Sequence, residues 1–288
     1  MDKKRAFFQA FLLLFILALI FSAVSLLILK GGFSPIHASK IGVINIEGVI
    51  SDATVITKQI EKLRKDDSIK AIIIRINSPG GAVAPTQEIY KEIKKTTKEK
   101  RVIASIGSIG ASGGYYIACA ADRIVANPGT ITGSIGVIMN FVQVQELLKK
   151  LGIKVSSLKS GKFKDIGAPY RNMTEEEKKL IMDMLMEVKD QFVKAVAEGR
   201  HLPVEEVKKI ADGRILLGSQ AKRLGLVDEL GNFQDAIELA KKLAHIKGRV
   251  KLVYPRYKGF SILDRIVDSL VEKILFYSSF PVLTYIAY

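Results

Sequence analysis

The run IKAIIIRI, from Ile69 to Ile76, limits this chain more than any other stretch. It is apolar with almost no alternation, which suits a strand covered on both faces rather than one with a wet side. It is followed at once by NSPGGAV, and the next apolar run, RVIASIGSI from Arg101, feeds a second glycine-rich stretch, GASGG. Between them a segment rich in Lys and Glu, from about Pro85 to Lys98, has helical spacing. The same alternation extends both ways. IGVINIEGVI (Ile41 to Ile50) reads as a strand and is followed by a helix from about Asp52 to Lys65. Further on come DRIVANP, a helix around Phe141 to Leu151, a strand near Ile153 to Leu158 and a long helix from about Thr174 to Glu198. Strands alternating with helices predict an α/β domain with a largely parallel sheet.

In such sheets ligands sit beyond the carboxyl ends of the strands. NSPGG and GASGG both follow strands, so they should lie side by side, with Ser112 of GASGG facing the backbone N–H groups of Gly80 and Gly81. That is the arrangement an oxyanion hole requires. Taken alone, Ser112 reads more readily as the N-cap of the helix that YYIACAA begins, and Pro79-Gly80 as the centre of a plain turn.

A nucleophilic serine needs a base. The three histidines are poorly placed for it: His37 is in a linker, His201 ends a helix and His245 belongs to the amphipathic run AIELAKKLAHI. A Ser-His-Asp triad is disfavoured, although sequence leaves His201 open. A lysine serves where burial lowers its pKa. Lys164, in the loop SGKFKDIGAPYRNMT, stands out from the many surface lysines, but taken alone a solvated loop lysine is the more direct reading. Asp165 beside it would oppose the needed pKa drop if its carboxylate faced the amine. The single cysteine, Cys119, excludes an intrachain disulfide and fits a small core position.

Ala6 to Leu29 carries no charge and is long enough to cross about 30 Å of hydrocarbon as a helix. It exceeds a signal-peptide core, and no A-x-A site follows. Lys3, Lys4 and Arg5 precede it, so the positive-inside rule holds the N-terminus in the cytoplasm and puts the body outside, as a single-pass protein of the cell membrane. The net charge of +15 is spread over helix faces such as KEIKKTTKEK and is not gathered with aromatics. Nucleic acid is therefore not an expected partner, whereas the lipid surface is.

NSPGGAV, SIGASGGYYIA, ANPGTITGSIGVI, SGKFKDIGAPYR and DGRILLGSQAKRLGLVDELG stand in an order and spacing that resemble signal peptide peptidase A in its short single-domain form, over about Lys40 to Leu243. The resemblance implies a Clp protease/crotonase-like fold of ββα units and a ring-like homo-oligomer with active sites at subunit contacts. It also implies a nucleophile at Ser112, a lysine base at Lys164, a hydroxyl at Ser134 that positions the amine, and oxyanion donors at Gly80 and Gly81. No metal or other cofactor is implied. The expected activity is a Ser-Lys endopeptidase acting on signal peptides and other extended apolar peptides. The alternatives are an inactive membrane-associated scaffold of the same fold and crotonase-type acyl-CoA chemistry.

The expected organisation is a cytoplasmic start and anchor (1–30), a linker (31–39), the protease domain (40–255) and an apolar tail (256–288). The tail carries an amphipathic helix from Phe260 to Phe276, expected on a neighbouring subunit or at the membrane surface.

Overall fold

The computed structural model describes residues 3–30, 39–255 and 284–287. The chain divides into two compact units, residues 1–39 and 40–288. The first carries helix α1, Lys3–Lys30. Among the described residues no helix is long and apolar enough to cross a membrane. The membrane span expected at Ala6 to Leu29 therefore rests on the sequence. The amphipathic helix expected at Phe260 to Phe276 lies outside the described residues.

The second unit runs β1 (Ser39–Ile50), α2 (Thr54–Lys65), β2 (Ile69–Ala82), α3 (Val83–Thr96), β3 (Arg101–Ala111), α4 (Gly113–Ala118), β4 (Arg123–Ala126) and β5 (Ile131–Gly133). It continues with α5 (Gln145–Lys150), α6 (Glu175–Arg200), α7 (Val204–Ile210), β6 (Ile215–Leu217), α8 (Gly218–Arg223), β7 (Glu229–Leu230), α9 (Phe233–Leu243), β8 (Val250–Val253) and β9 (Thr284–Ile286). The sheet follows the order β6-β5-β3-β2-β1-β8, with β4 between β3 and β7 and with β9 on β2. Pairing is parallel through β1, β2, β3 and β4, and antiparallel where β6 joins β5 and β9 joins β2.

The continuous apolar run of β2 has its reason in two cores. Ile72, Ile74 and Ile76 face one, with side chains of α2, α3, α4 and α6, while Ala71 and Ile73 face the other, with Ala236, Ile237 and Ala240 of α9. Each fully buried aliphatic side chain contributes roughly 1.5–3 kcal/mol, so this strand is the spine of the domain. The expected β-to-turn boundary at Ile76 is corrected: β2 continues through NSPGGA to Ala82, with a register shift between Ile76 and Ser78.

Two other expectations are also corrected. The helix expected from Phe141 to Leu151 is confined to Gln145–Lys150, and residues 153–158 are not a strand. Ile153, Val155 and Leu158 are exposed, and without a neighbouring strand the alternation there has no ladder to join. The long helix α6 begins where a capping box starts it: the Thr174 hydroxyl accepts from the Glu177 N–H, and the Glu177 carboxylate accepts from the Thr174 N–H.

Candidate active site

The sheet forks at its centre, and the fork makes the site. β2 and β3 run together as far as Ser78 opposite Gly110, while the other edge of β3 passes from β4 to β5, pairing Ile109–Ala111 with Ile131–Gly133. The next residue is Ser112, whose N–H donates to the Gly133 carbonyl (2.8 Å). Ser112 is 1% exposed and has φ 54°, a left-handed conformation that a residue with a side chain rarely adopts. It sits at the N-cap of α4, yet its side chain makes no cap hydrogen bond. The capping reading therefore does not account for the hydroxyl, and the strained turn holds it at the mouth of the fork.

The end of β2 backs directly onto this turn. A Cβ added to Gly113 would lie 3.2 Å from both Gly80 Cα and Gly81 N, and one added to Gly114 would lie 2.7 Å from the Ser78 carbonyl oxygen. The two glycine-rich stretches thus meet main chain to main chain. Gly80 has φ 108°, open only to glycine, and its N–H donates to the buried Ser78 hydroxyl (3.1 Å). That leaves Gly81, whose nitrogen lies against Gly113, as the donor nearer the serine turn. Gly113 opens α4, so its own N–H has no partner within the helix.

Ser134 follows β5 with φ 50° and is 8% exposed; its N–H donates to the Arg214 carbonyl (2.8 Å). It lines a cleft of about 340 Å³ together with Val137, Ile138, Lys189, Asp212 and Ala287. Lys164 is not among the lining residues. It is exposed, and among the described residues its amine has no hydrogen-bond or ion-pair partner. A single chain thus supplies the serine, the glycine turns and Ser134 in one region and leaves Lys164 in water.

The loop that carries Lys164 is nevertheless held firmly. Asp165 does not face the Lys164 amine. Its carboxylate accepts a fork from Arg171 (2.9 and 2.7 Å) and a further bond from Lys159 (2.5 Å). Arg171 also grips Glu177, at 2.8 and 2.5 Å. These bonds, Arg171 first and Lys159 second, hold the Asp165 carboxyl well below the usual carboxylate range. Arg171, with the Thr174 N–H, lowers Glu177 to about 2. Bidentate arginine contacts fix geometry as well as charge, so the loop is tied to the first turn of α6.

The other titratable candidates fall elsewhere. His201 caps the C-terminus of α6 in the left-handed conformation and lines a different cleft, with Lys94, Asp122 and Arg123. His245 follows α9, and His37 lies outside the described residues. Cys119 is buried, and burial pushes its thiol up to about 12, so it remains a neutral core group. Among the described residues no group of three or more His, Cys, Asp or Glu could hold a metal ion.

Sequence reasoning missed three participants: Lys189 in the cleft, the Arg171 clamp, and β9, which pairs with Gly80–Ala82 and brings Ala287 to the cleft. Helical spacing alone does not say which of the lysines on α6 faces a cleft, and strand pairing over 200 residues leaves no local signal. The arginine had one: a fixed spacing of six between Asp165, Arg171 and Glu177.

The model of peptidase family S49 matches residues 92–247, and that of Clp protease matches residues 38–129. A candidate protease of Methanocaldococcus jannaschii is 43% identical over 195 residues, which are 68% of this chain and 63% of that protein. A candidate signal peptide peptidase SppA of Enterococcus faecium is 41% identical over 185 residues, 64% of this chain and 54% of that protein. The chloroplast serine protease SPPA of Arabidopsis thaliana is 35% identical over 206 residues, 71% of this chain and 30% of that protein. The chain thus spans less than two thirds of each of these three relatives.

Proposed function

The chain belongs to peptidase family S49, and from that premise we propose that it is a membrane-anchored serine endopeptidase that hydrolyses extended apolar peptides, signal peptides among them. The observation that carries this reading is the Ser112 turn: a buried serine in a left-handed conformation, free of any capping role, backed against Gly80 and Gly81. A relative named as a signal peptide peptidase and another named as a serine protease support the substrate class and the nucleophile.

In this reading the Ser112 Oγ attacks the scissile carbonyl while a neutral Lys164 amine takes its proton. The oxyanion that forms receives the N–H of Gly81 and that of Gly113, and Gly80 supplies the left-handed geometry that aims its neighbour. Lys164 returns the proton to the leaving amine. It then takes one from the water that hydrolyses the acyl-enzyme. Ser134 orients the lysine amine by a hydrogen bond. The chemistry calls for no metal or other cofactor.

A lysine acts as base only when desolvation favours its neutral form, and Lys164 is exposed in the single chain. The dyad is therefore completed in a ring-like homo-oligomer, where Lys164 of one copy meets Ser112 of its neighbour and the contact covers the loop. Exposed apolar side chains on the adjoining segment, Leu147, Leu151, Ile153, Val155 and Leu158, support such a cover. The uncharged run Ala6 to Leu29 supports the anchor, with the N-terminus cytoplasmic and the catalytic unit on the other side.

A second reading has one observation in its favour: Lys189, which lines the cleft with Ser134, would make the dyad within one chain. Substitution separates the two. Ser112→Ala and Lys164→Ala should each abolish peptide hydrolysis without loss of folding, while Lys189→Ala keeps it. Mixing the two inactive variants should restore activity, because sites that pair an intact Ser112 with an intact Lys164 re-form between chains. Turnover by Lys164→Ala, or its loss in Lys189→Ala, refutes the assignment of the base.

A further inference from the structure

The cleft beside Ser134 holds a charge that no described residue answers. Val137, Ile138, Ala211 and Ile215 give it apolar walls, and the two ionisable groups that line it are Lys189 and Asp212. Asp212 is already neutralised. Its carboxylate accepts the Arg214 Nε–H (2.8 and 2.9 Å), an Arg214 η-nitrogen (2.5 Å) and the Arg214 backbone N–H (3.1 Å). That grip, the side-chain bonds first, holds the Asp212 carboxyl well below the usual carboxylate range. Lys189 differs. It stands on α6 beside the buried Val188 and is half-buried, and among the described residues its amine has no hydrogen-bond or ion-pair partner.

An ammonium half-withdrawn from water loses hydration without gaining a partner, and a ligand that brings a negative charge restores the balance. The complement of an apolar cleft with one such cation is an apolar group that ends in an anion. The place of the cleft says where on a peptide that anion lies. Ser134 is in its wall, and Gly133, the residue before, accepts the Ser112 N–H (2.8 Å), so the cleft opens beside the serine turn. An extended apolar peptide is poor in acidic side chains, but once released from a longer chain it carries one carboxylate, at its C-terminus. That carboxylate lies on the leaving-amine side of any bond that Ser112 attacks.

We propose that Lys189 reads the free C-terminal carboxylate of the substrate, so that the cleft takes the leaving end of an apolar peptide already released from its parent chain. This rests on the peptidase reading and on Ser112 as its nucleophile. Lys189 is then a specificity residue while Lys164 remains the base, which gives the lysine of the cleft a role other than proton transfer. An apolar segment in the middle of an intact chain offers no terminus to the cleft and is passed over, whereas a cut fragment is held. A charge-assisted bond of this kind favours the acid over its amide by about tenfold or more in KM.

The test compares three peptides on the full chain: acetyl-LLALAA with a free carboxylate, its C-terminal amide, and that amide with glutamate as the last residue. The free acid should show a KM about tenfold or more below that of the amide with similar kcat, and the glutamate amide should behave as the plain amide. In Lys189→Gln the KM for the acid should rise to that for the amide, and in Lys189→Glu the order should reverse. Affinities of fluorescent forms for the Ser112→Ala chain, with and without Lys189→Gln, should show the same preference. This arm needs no hydrolysis, so it reads Lys189 even if the peptidase assignment fails. Equal affinity for acid and amide, or a preference that survives Lys189→Gln, overturns the proposal and leaves the peptidase reading standing. Use of the glutamate amide as readily as the free acid would assign the cleft to acidic side chains and refute the terminal reading. Loss of turnover on all three peptides in Lys189→Gln, with binding unchanged, would make Lys189 the base and overturn the proposal.

Discussion

Replacing Gly114 by alanine should damage catalysis more than stability, for a reason that can be worked in ångströms. The new Cβ would lie 2.7 Å from the Ser78 carbonyl oxygen, whereas ordinary contact begins at 3.4 Å, so β2 and α4 must separate by about 0.7 Å. The opposing atom belongs to the main chain of a buried strand and cannot rotate away. Overpacking of this kind costs roughly 1–3 kcal/mol, which lowers Tm by several degrees in a domain of this size. The same displacement moves Ser112 relative to Gly81, and misplacement by about 1 Å costs on the order of 100-fold in rate. We expect kcat to fall about 10- to 100-fold while the protein stays folded. Gly129→Ala is the control, since nothing lies within 4 Å of its added Cβ. The assay is hydrolysis of a fluorogenic apolar peptide beside a thermal melt of each variant. Wild-type kcat in Gly114→Ala would refute the argument that the two glycine stretches set the geometry.

Ser134→Ala should retain partial activity with its pH–rate profile displaced, because the hydroxyl orients the base and takes no proton of its own; an unmoved profile speaks against that role. Cys119, with its thiol raised to about 12 by burial, should resist iodoacetamide at pH 8 in the folded protein and react on unfolding, and rapid labelling of the native chain would contradict its core position. The Arg171 clamp should fail in acid. Its two carboxylates have lowered pKa values in the fold, so their stabilisation is complete above the ordinary carboxylate range and is lost as pH falls through the folded values, about 2 for Glu177. Pepsin cleavage within residues 159–172 should therefore rise as pH drops from about 4.5 towards 2. In Arg171→Lys, which loses the bidentate fork, trypsin cleavage after Lys162 or Lys164 at pH 7 should be faster than in the wild type; equal rates would show the clamp to be idle.

The architecture was legible where one periodicity ruled. IKAIIIRI could only be a strand between two cores, and the cores are there. The adjacency of NSPGG and GASGG followed from strand ends in an α/β sheet, and the contacts of Gly113 and Gly114 bear it out. Reading NSPGG as a turn fails because proline and glycine do not always break a strand. Here Gly80, with its positive φ, sits where the register against β1 shifts between Asn77 and Gly80, and the strand continues past it. The strand expected at Ile153 to Leu158 failed because alternation predicts which faces a strand would have and not whether a neighbouring strand is present. The loop around Lys164 marks it out in the sequence and also allows a solvated lysine, and in one chain it is exposed. The union of residues 284–287 with residues 79–82 is a contact of long sequence separation, and no local pattern encodes it.

Ser112 is the proposed nucleophile, and covalent labelling tests that role without knowledge of any substrate. The detergent-solubilised full chain, treated with a fluorophosphonate probe at pH 8 and mapped by mass spectrometry, should carry the adduct on Ser112. The adduct should be absent from the Ser112→Ala and Lys164→Ala variants. An adduct on another serine, or undiminished labelling in Ser112→Ala, would contradict it.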